Sequence, residues 1–285
     1  MTSELRQVAV VTVAYCSADD IGGFLESVAT SGERPTATIM ADNPSPESEK
    51  TIEIAEAAGA TVVRLTKNAG YGGAINAAVA TLAPEVEFLL ISNPDVRLHP
   101  ESVRRLVNAM DRVPTAGAIG PKILNEDGSV YPSARLIPSL RTGLGHALFF
   151  QVWPTNPWTR AYRQEGESQE ISRAVGWLSG ACLLVRRAAF DEVGGFDDGY
   201  FMYFEDVDLG FRLGRASWIN LYEPRAVVTH VGGRSTEKMR PEMLRAHHRS
   251  ADRFLSSKYR GWYLAPMRWA LHIGLEVRAR WQTRD

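Results

Sequence analysis

Two cysteines in 285 residues are too few for a disulfide framework, and Cys16 and Cys182 both fall in apolar, strand-like runs that suit buried thiols. Neither stands in a metal-type spacing. No apolar stretch reaches the ~20 residues that a membrane-spanning helix needs. The strand-like Val8–Val13 follows the N-terminus so closely that no secretory leader is expected. A cytoplasmic protein, at most peripheral on the inner face of the plasma membrane, is the resulting expectation. Internal repeats and low-complexity segments are also lacking. So are the Gly-x-Gly-x-x-Gly dinucleotide fingerprint and the Gly-Lys-Ser/Thr of a P-loop. An excess of one charge is missing too: the formal net charge is −1, and no nucleic-acid partner is expected.

That near-neutrality conceals an asymmetry. Residues 234–285 hold twelve Lys/Arg against five Asp/Glu, a balance of +7. The whole chain has 32 basic and 33 acidic residues, so residues 1–233 hold twenty against twenty-eight, a balance of −8. A basic tail on an acidic body suits an anionic partner, although a solvated helix face carries the same pattern.

The first half alternates strand and helix. Strands are expected at Val8–Ala14, Thr36–Ala41, Thr61–Leu65 and Phe88–Ile91, and helices at Ile21–Ser31, Ser48–Ala58, Ala74–Ala83 and Pro100–Arg112. The pair Asp19-Asp20 suits the start of the first helix. Such alternation calls for a mostly parallel sheet with right-handed crossovers and helices on its faces. Further on, Ala116–Ile119 and Trp177–Arg186 read as strands, with Asn125–Gly128 as a turn. Residues 135–170, with Phe149, Phe150, Trp153 and Trp158, form a long irregular stretch that suits a lid, a membrane contact or a packed flap. After Val227-Val228-Thr229-His230 the chain turns helical and basic. We therefore expect a catalytic unit over residues 1–235 and a helical tail over 236–285.

Four segments carry chemistry. Asp42 follows the second strand, where an acid accepts bonds from a nucleobase or ribose, or from its own turn backbone. Asn68-Ala69-Gly70-Tyr71-Gly72-Gly73-Ala74-Ile75-Asn76 puts three glycines in four residues before a helix, where backbone can approach a ligand or simply turn tightly. Phe88–Ile91 stops at Ser92-Asn93-Pro94-Asp95, which sets a carboxylate at the ligand-binding edge of an α/β sheet. Asp95 is a candidate ligand for Mg²⁺ or Mn²⁺ beside diphosphate oxygens, because the residues that follow delay any helix it would cap. Finally, Glu205-Asp206-Val207-Asp208 crowds three acids into an apolar stretch, where burial and repulsion raise at least one pKa toward that of a useful base.

Together these segments resemble the family 2 glycosyltransferases of GT-A fold. The resemblance rests on Val10–Tyr15, Asp42-Asn43, Asn68-x-Gly70-Tyr71-Gly72-Gly73-x-x-Asn76, Asn93-Pro94-Asp95, Gly180-Ala181-Cys182, Gly194–Asp197 and Phe204–Asp208, in family order over residues 8–233. Within the family, the nearest likeness is to actinobacterial rhamnosyltransferases that move L-rhamnose from dTDP-L-rhamnose to N-acetylglucosaminyl-diphosphoryl-polyprenol. The family's usual Asp-x-Asp stands here as Asn93-Pro94-Asp95, so His230 is implied as a further metal ligand. The resemblance also implies donor contacts from Ala14, Tyr15, Asp42, Asn68, Gly70, Tyr71, Gly72, Asn76, Asn93 and Asp95. It makes Asp206 the general base with Glu205 beside it, and it places Trp177, Gly180, Glu205 and Asp208 near the acceptor. For Asp208 a bond to backbone amides is the simpler reading.

Two other classes compete. A nucleotidylyltransferase would be expected to carry cations after its first strand, but Tyr15–Asp20 has none. A non-catalytic binding module would not need Glu205-Asp206. In the tail after Pro266, Trp269, Ile273, Val277 and Trp281 form one apolar column, and Met267, Leu271 and Leu275 form another beside a largely basic one. Such a helix suits a membrane surface, the catalytic body or a second subunit of a homo-oligomer.

Overall fold

The computed structural model describes residues 7–31, 35–139, 170–231, 241–266, 269 and 271–273. Its central sheet begins with β1 (Val8–Ala14), β2 (Ala37–Asp42), β3 (Thr61–Arg64) and β4 (Phe88–Ser92), all parallel in the order β3-β2-β1-β4. Every residue of β1 and β4 is buried. A strand covered on both faces reads as a continuous apolar run, which is why these two were visible in the sequence.

Alternation along the strands sorts their side chains into two cores. Val8, Val10, Phe88 and Leu90 pack with α1 (Ile21–Thr30), α2 (Ser48–Ala57) and α4 (Ser102–Arg112). Ala9, Val11, Leu89 and Ile91 pack on the opposite face with α3 (Gly70–Val79), α5 (Arg187–Glu192) and α6 (Glu205–Arg215). The result is the expected three-layered α/β architecture.

Beyond β4 the sheet turns mixed. It continues through β11 (Cys182–Arg186), β6 (Ala116–Asn125), β12 (Ile219–His230) and β5 (Val96–Leu98), with β11 and β5 antiparallel to their neighbours. Short β7 (Val130–Tyr131) and β9 (Arg173–Val175) pair with β6 and β12, while β8 (Ala134–Arg135) and β10 (Trp177–Leu178) form a separate ribbon. Helix α7 (Pro241–Lys258) closes the described chain against α6, with Phe254 buried between Phe204 and Phe211.

Four expectations need correction. Helix α3 starts at Gly70, four residues before Ala74, so the glycines form its first turn. Free amides that open a helix need outside acceptors; Asn43 Oδ1 takes the Ala69 N–H at 2.9 Å and Asn68 Oδ1 takes the Gly70 N–H at 2.9 Å. Those two caps compensate for weak helix formers. The stretch Trp177–Arg186 is not one strand: Ser179, Gly180 and Ala181 leave the ladder between β10 and β11. Cys16 is exposed with φ 52°, in the turn after β1, whereas Cys182 is buried as expected; both are free thiols. Strands β6 and β12 run longer than read, through a register shift between Glu223 and Val227 that accommodates Pro224. Most of the 135–170 stretch, Gly232-Gly233 and the tail from Gly274 lie outside the described residues.

Candidate active site

The chain leaves β1 toward β2 on one side, and β4 lies on the other. This is a topological switch point, where α/β sheets bind ligands outside the carboxyl ends of their strands. Ala14 and Tyr15 lie at the end of β1, Asp42 at the end of β2, and Asn93-Pro94-Asp95 beyond β4. Tyr15 is exposed and Asp42 buried. The Asp42 carboxylate accepts from Ser48 Oγ at 3.1 Å, an arrangement reading neither as a simple turn bond nor as a free acceptor. Burial raises its pKa, and the Ser48 bond works against that rise.

Asp95 meets His230 here: Oδ1 and Nε2 are 3.0 Å apart across 135 residues of chain. The Asp95 carbonyl also accepts the Val231 N–H at 2.8 Å, tying the end of β12 to the start of β5. Adjacent ligands on an octahedral ion, each ~2.1 Å from it, stand about 3 Å apart. The 3.0 Å contact is itself a hydrogen bond, and a carboxylate with an imidazole is also a donor set that suits Mn²⁺ or a similar ion. Among the described residues no group of three or more His, Cys, Asp or Glu side chains could hold an ion unaided. A nucleotide diphosphate and water would supply the remaining ligands.

A third acid was read only as a helix-opening residue. Asp20, at the start of α1, has its pKa raised by burial and then by the charge of Asp95, with Arg97 opposing. The Arg97 guanidinium occupies the space a side chain at Gly23 would need. Neither residue stands in a recognisable motif, and only the fold reveals their place.

The second carboxylate group opens α6. Tyr203 and Phe204 both sit in the left-handed region, at φ 67° and 65°, a conformation costing roughly 1–3 kcal/mol per non-glycine residue. The turn delivers Glu205, buried, and Asp206, half-buried, to the first helical positions. Burial, then the Asp206 charge, pushes the Glu205 carboxyl well above the usual range, and its Oε2 has no hydrogen-bond partner. Burial also raises Asp206, but two backbone amides oppose it: Gly180 N–H on Oδ2 at 2.9 Å and Val207 N–H on Oδ1 at 2.8 Å. Neighbouring acids held in unlike environments divide the proton between them. Here the two amides favour the charged form of Asp206, while burial and the Asp206 charge favour the neutral form of Glu205.

Asp208 points elsewhere. It pairs with Arg212 at 2.6 Å, and Arg212 donates in turn to the Val193 and Gly195 carbonyls at 2.7 Å. Its side-chain partner is a guanidinium rather than the backbone amides that the simpler reading gave it. Trp177 is partly buried and donates its indole N–H to the Leu136 carbonyl at 3.0 Å, with the Arg135 guanidinium 5.6 Å from its ring.

The two carboxylate groups are linked through the loop between β10 and β11. Asp206 holds Gly180, and the next carbonyl, of Ala181, accepts the Asn93 N–H at 2.9 Å, two residues from Asp95. The Asn68–Asn76 segment borders the same site but spends most of its polar groups on protein. Asn76 donates to the Phe196 carbonyl and to Asp198 Oδ1, both at 2.8 Å, and accepts the Phe196 N–H at 3.0 Å. A Cβ at Gly70 would lie 2.0 Å from the Phe201 carbonyl oxygen, and one at Gly72 2.8 Å from Phe196 Cβ. The close approach these glycines permit is thus to the chain itself.

A family model, glycosyltransferase-like family 2, matches residues 6–248. The chain belongs to this family. It is a glycosyltransferase. It is 44% identical to the N-acetylglucosaminyl-diphospho-decaprenol L-rhamnosyltransferase of Mycobacterium tuberculosis, over 97% of this chain and 92% of that one. A shorter match, 37% identical over 32% of this chain and 35% of the relative, is to the rhamnosyltransferase WbbL of Escherichia coli. Among solved structures, the mannosyltransferase PcManGT of Pyrobaculum calidifontis, in complex with GDP-Man and Mn²⁺, superposes with a TM-score of 0.61 at 14% identity, over 99% of this chain and 73% of that one. GalNAc-T7 with UDP, GalNAc and Mn²⁺ gives 0.60 at 16% identity, over 80% and 44%. These likenesses show the GT-A fold.

Proposed function

We propose that this family 2 glycosyltransferase moves L-rhamnose from dTDP-L-rhamnose to a polyprenyl-diphosphate-linked N-acetylglucosamine, inverting the anomeric centre, as a step of cell-wall linkage-unit synthesis. The observation that carries this reading is the near full-length match to the mycobacterial rhamnosyltransferase. The geometry supports it. Asp95 and His230 would hold a Mg²⁺ or Mn²⁺ ion at the donor diphosphate, where a bound cation offsets the charge growing on the departing dTDP. Asp206 takes the proton from the acceptor hydroxyl on the opposite face of the sugar, a contribution commonly worth ~10²–10⁴-fold. Glu205, protonated alongside, keeps a second negative charge out of the same buried space. Ala14, Tyr15, Asp42, Asn68 and Asn93 line the donor end in this reading, and Trp177 and Gly180 the acceptor end.

The direct test offers the purified chain dTDP-L-rhamnose, UDP-GlcNAc, UDP-galactose and GDP-mannose with a short-chain polyprenyl-diphosphate N-acetylglucosamine. A product heavier by one deoxyhexose, formed from dTDP-L-rhamnose alone, is the expected result. Transfer from a UDP-sugar instead would replace the donor, and no turnover of any donor would leave only a binding role.

An acceptor on a lipid carrier must be met at the bilayer, and the tail suits that task. Trp262, Tyr263, Trp269 and Ile273 are 87%, 69%, 69% and 39% exposed, beside a run of net charge +7 over residues 234–285. Tryptophan favours the headgroup zone, and each cation near an anionic surface adds ~1 kcal/mol. No described helix is long and apolar enough to cross a membrane, so the proposed contact is peripheral, on the cytoplasmic face. In liposome flotation, binding should require anionic lipid, weaken with salt and vanish on deletion of residues 262–285. A truncated chain that still floats, or an intact one that never does, would end the membrane assignment.

A further inference from the structure

Tyr71 has no part in the proposed chemistry, yet its bonds converge on the proposed base. Its hydroxyl donates to the Gly180 carbonyl at 2.6 Å, joining α3 to the loop between β10 and β11. The Gly180 amide, on the other side of the same residue, donates to Asp206 Oδ2 at 2.9 Å. Both flank Gly180 closely: a Cβ there would lie 3.4 Å from Tyr71 Cε1 and 3.5 Å from Asp206 Cβ. The Tyr71 backbone grips the other approach to the acids, its N–H donating to the Phe201 carbonyl at 3.2 Å, just before the left-handed Tyr203-Phe204 pair.

The surroundings keep that hydroxyl a donor. Burial raises its pKa well above the ordinary tyrosine value, and the charges of Glu205 and Asp206 add to the rise. A phenol that holds its proton has one use for it here, the Gly180 carbonyl. The ring is wedged edge-on against Phe196, with centroids 6.0 Å apart. Asn43 steadies the start of the helix, donating to the Gly70 carbonyl at 3.1 Å while accepting from Ala69.

We infer that Tyr71 is a positioning residue for the general base, setting the Gly180 amide against Asp206 through the carbonyl of the same residue, rather than a ligand of the donor sugar. The inference rests on Asp206 being the base. The Gly180 N–H and carbonyl belong to the two peptide planes that meet at its Cα, so anchoring both planes fixes the torsions of a residue with no side chain to restrain them. If the Tyr71 bond is lost, the Gly180–Ala181 plane is left with the 3.3 Å bond from the Ala181 N–H to Ser179 Oγ, the Gly180 torsions loosen, the bond to Asp206 Oδ2 lengthens, and the carboxylate loses both its aim and a stabilising donor.

Tyr71→Phe removes one oxygen and keeps the ring, so the packing against Phe196 survives. The expected result is a fall in kcat of roughly 10–100-fold, the scale of a small misplacement of a catalytic group, with donor KM unchanged. A hydrogen bond to an ionised carboxylate lowers its pKa. Losing the Gly180 amide therefore raises Asp206, and the acid limb of the kcat–pH profile moves to higher pH. Unfolding temperature, measured alongside, separates a folding defect from a loss of aim. In an Asp206→Asn background, Tyr71→Phe should cost little further, because residues acting as one unit are not additive. A raised donor KM with an unmoved pH profile would make Tyr71 a donor contact and overturn the inference. So would wild-type kcat, or a full multiplicative loss in the double variant. Wild-type turnover by Asp206→Asn alone removes the base assignment instead, and that result is distinct from each of these.

Discussion

Asp206→Asn should lower kcat by ~10²–10⁴-fold, the range a positioned general base supplies, with donor affinity retained. Asparagine has almost the same shape, and its carbonyl oxygen still accepts one of the two amides, from Gly180 or Val207, that the carboxylate holds. What it cannot do is take the acceptor proton. Binding of dTDP or of the intact donor, followed by calorimetry, should stay within a few-fold of wild type, because Asp206 is placed on the acceptor side of the sugar.

The neighbouring acid gives the control. Burial and the Asp206 charge together push Glu205 up to about 8, so Glu205→Gln, which resembles its neutral form, should cost less than ~10-fold. Burial also raises Asp206 above its ordinary value. The wild-type rate should accordingly fall as pH drops through that raised pKa, at a higher pH than an exposed aspartate would give. In Asp206→Asn this acid limb disappears, and Glu205, relieved of a neighbouring charge, titrates at lower pH. If Glu205→Gln proves the crippled variant while Asp206→Asn turns over normally, the two roles are exchanged.

How much of this was legible beforehand depended on how local its causes are. Strands β1 and β4 read directly because both faces are buried, and α4 read from its periodic Val103, Leu106, Val107 and Met110. The start of α3 did not, since its first turn is held by Asn43, more than two dozen residues away. The break between β10 and β11 was invisible for the same reason: Ser179-Gly180-Ala181 is apolar enough for a strand, and it leaves the ladder to serve Asp206 and Asn93. Site residues divide likewise. The Glu205-Asp206 pair announces itself as charge in an apolar stretch. His230 does not, and only the resemblance made it a ligand before the fold set it beside Asp95. Asp20 and Arg97 carried no motif at all. Tyr71 and Asn76 were read as donor contacts, but their bonds shown here run to protein, which a glycine-rich pattern alone does not distinguish from ligand binding.

The other large loss is expected at the metal pair. Asp95→Ala should reduce transfer by about 10³-fold or more, since a cation at a departing diphosphate is worth several kcal/mol and each 1.4 kcal/mol is a factor of ten. Folding should be spared. The Asp95 side chain is 19% exposed and its hydrogen bond is to His230. The backbone bond that joins Asp95 to Val231 needs no side chain. Excess chelator should silence the wild type, with activity restored by Mg²⁺ or Mn²⁺. A binding measurement separates this from a general defect: Mn²⁺ titrated in the presence of dTDP and followed by electron paramagnetic resonance should bind the wild type and not Asp95→Ala. His230→Ala keeps the carboxylate, the harder and charged member of the pair, so it should need more metal rather than lose activity outright. Equal activity of His230→Ala at every metal concentration removes His230 alone from the site. Full activity of the wild type in excess chelator removes the cation altogether, and Asp95 would then act on the donor by itself. That outcome is the less favoured one on physical grounds. A carboxylate facing a diphosphate with no cation between them adds repulsion where the leaving group is already gaining negative charge, and with Asp20 coupled to Asp95 the same end of the sheet would hold two such acids.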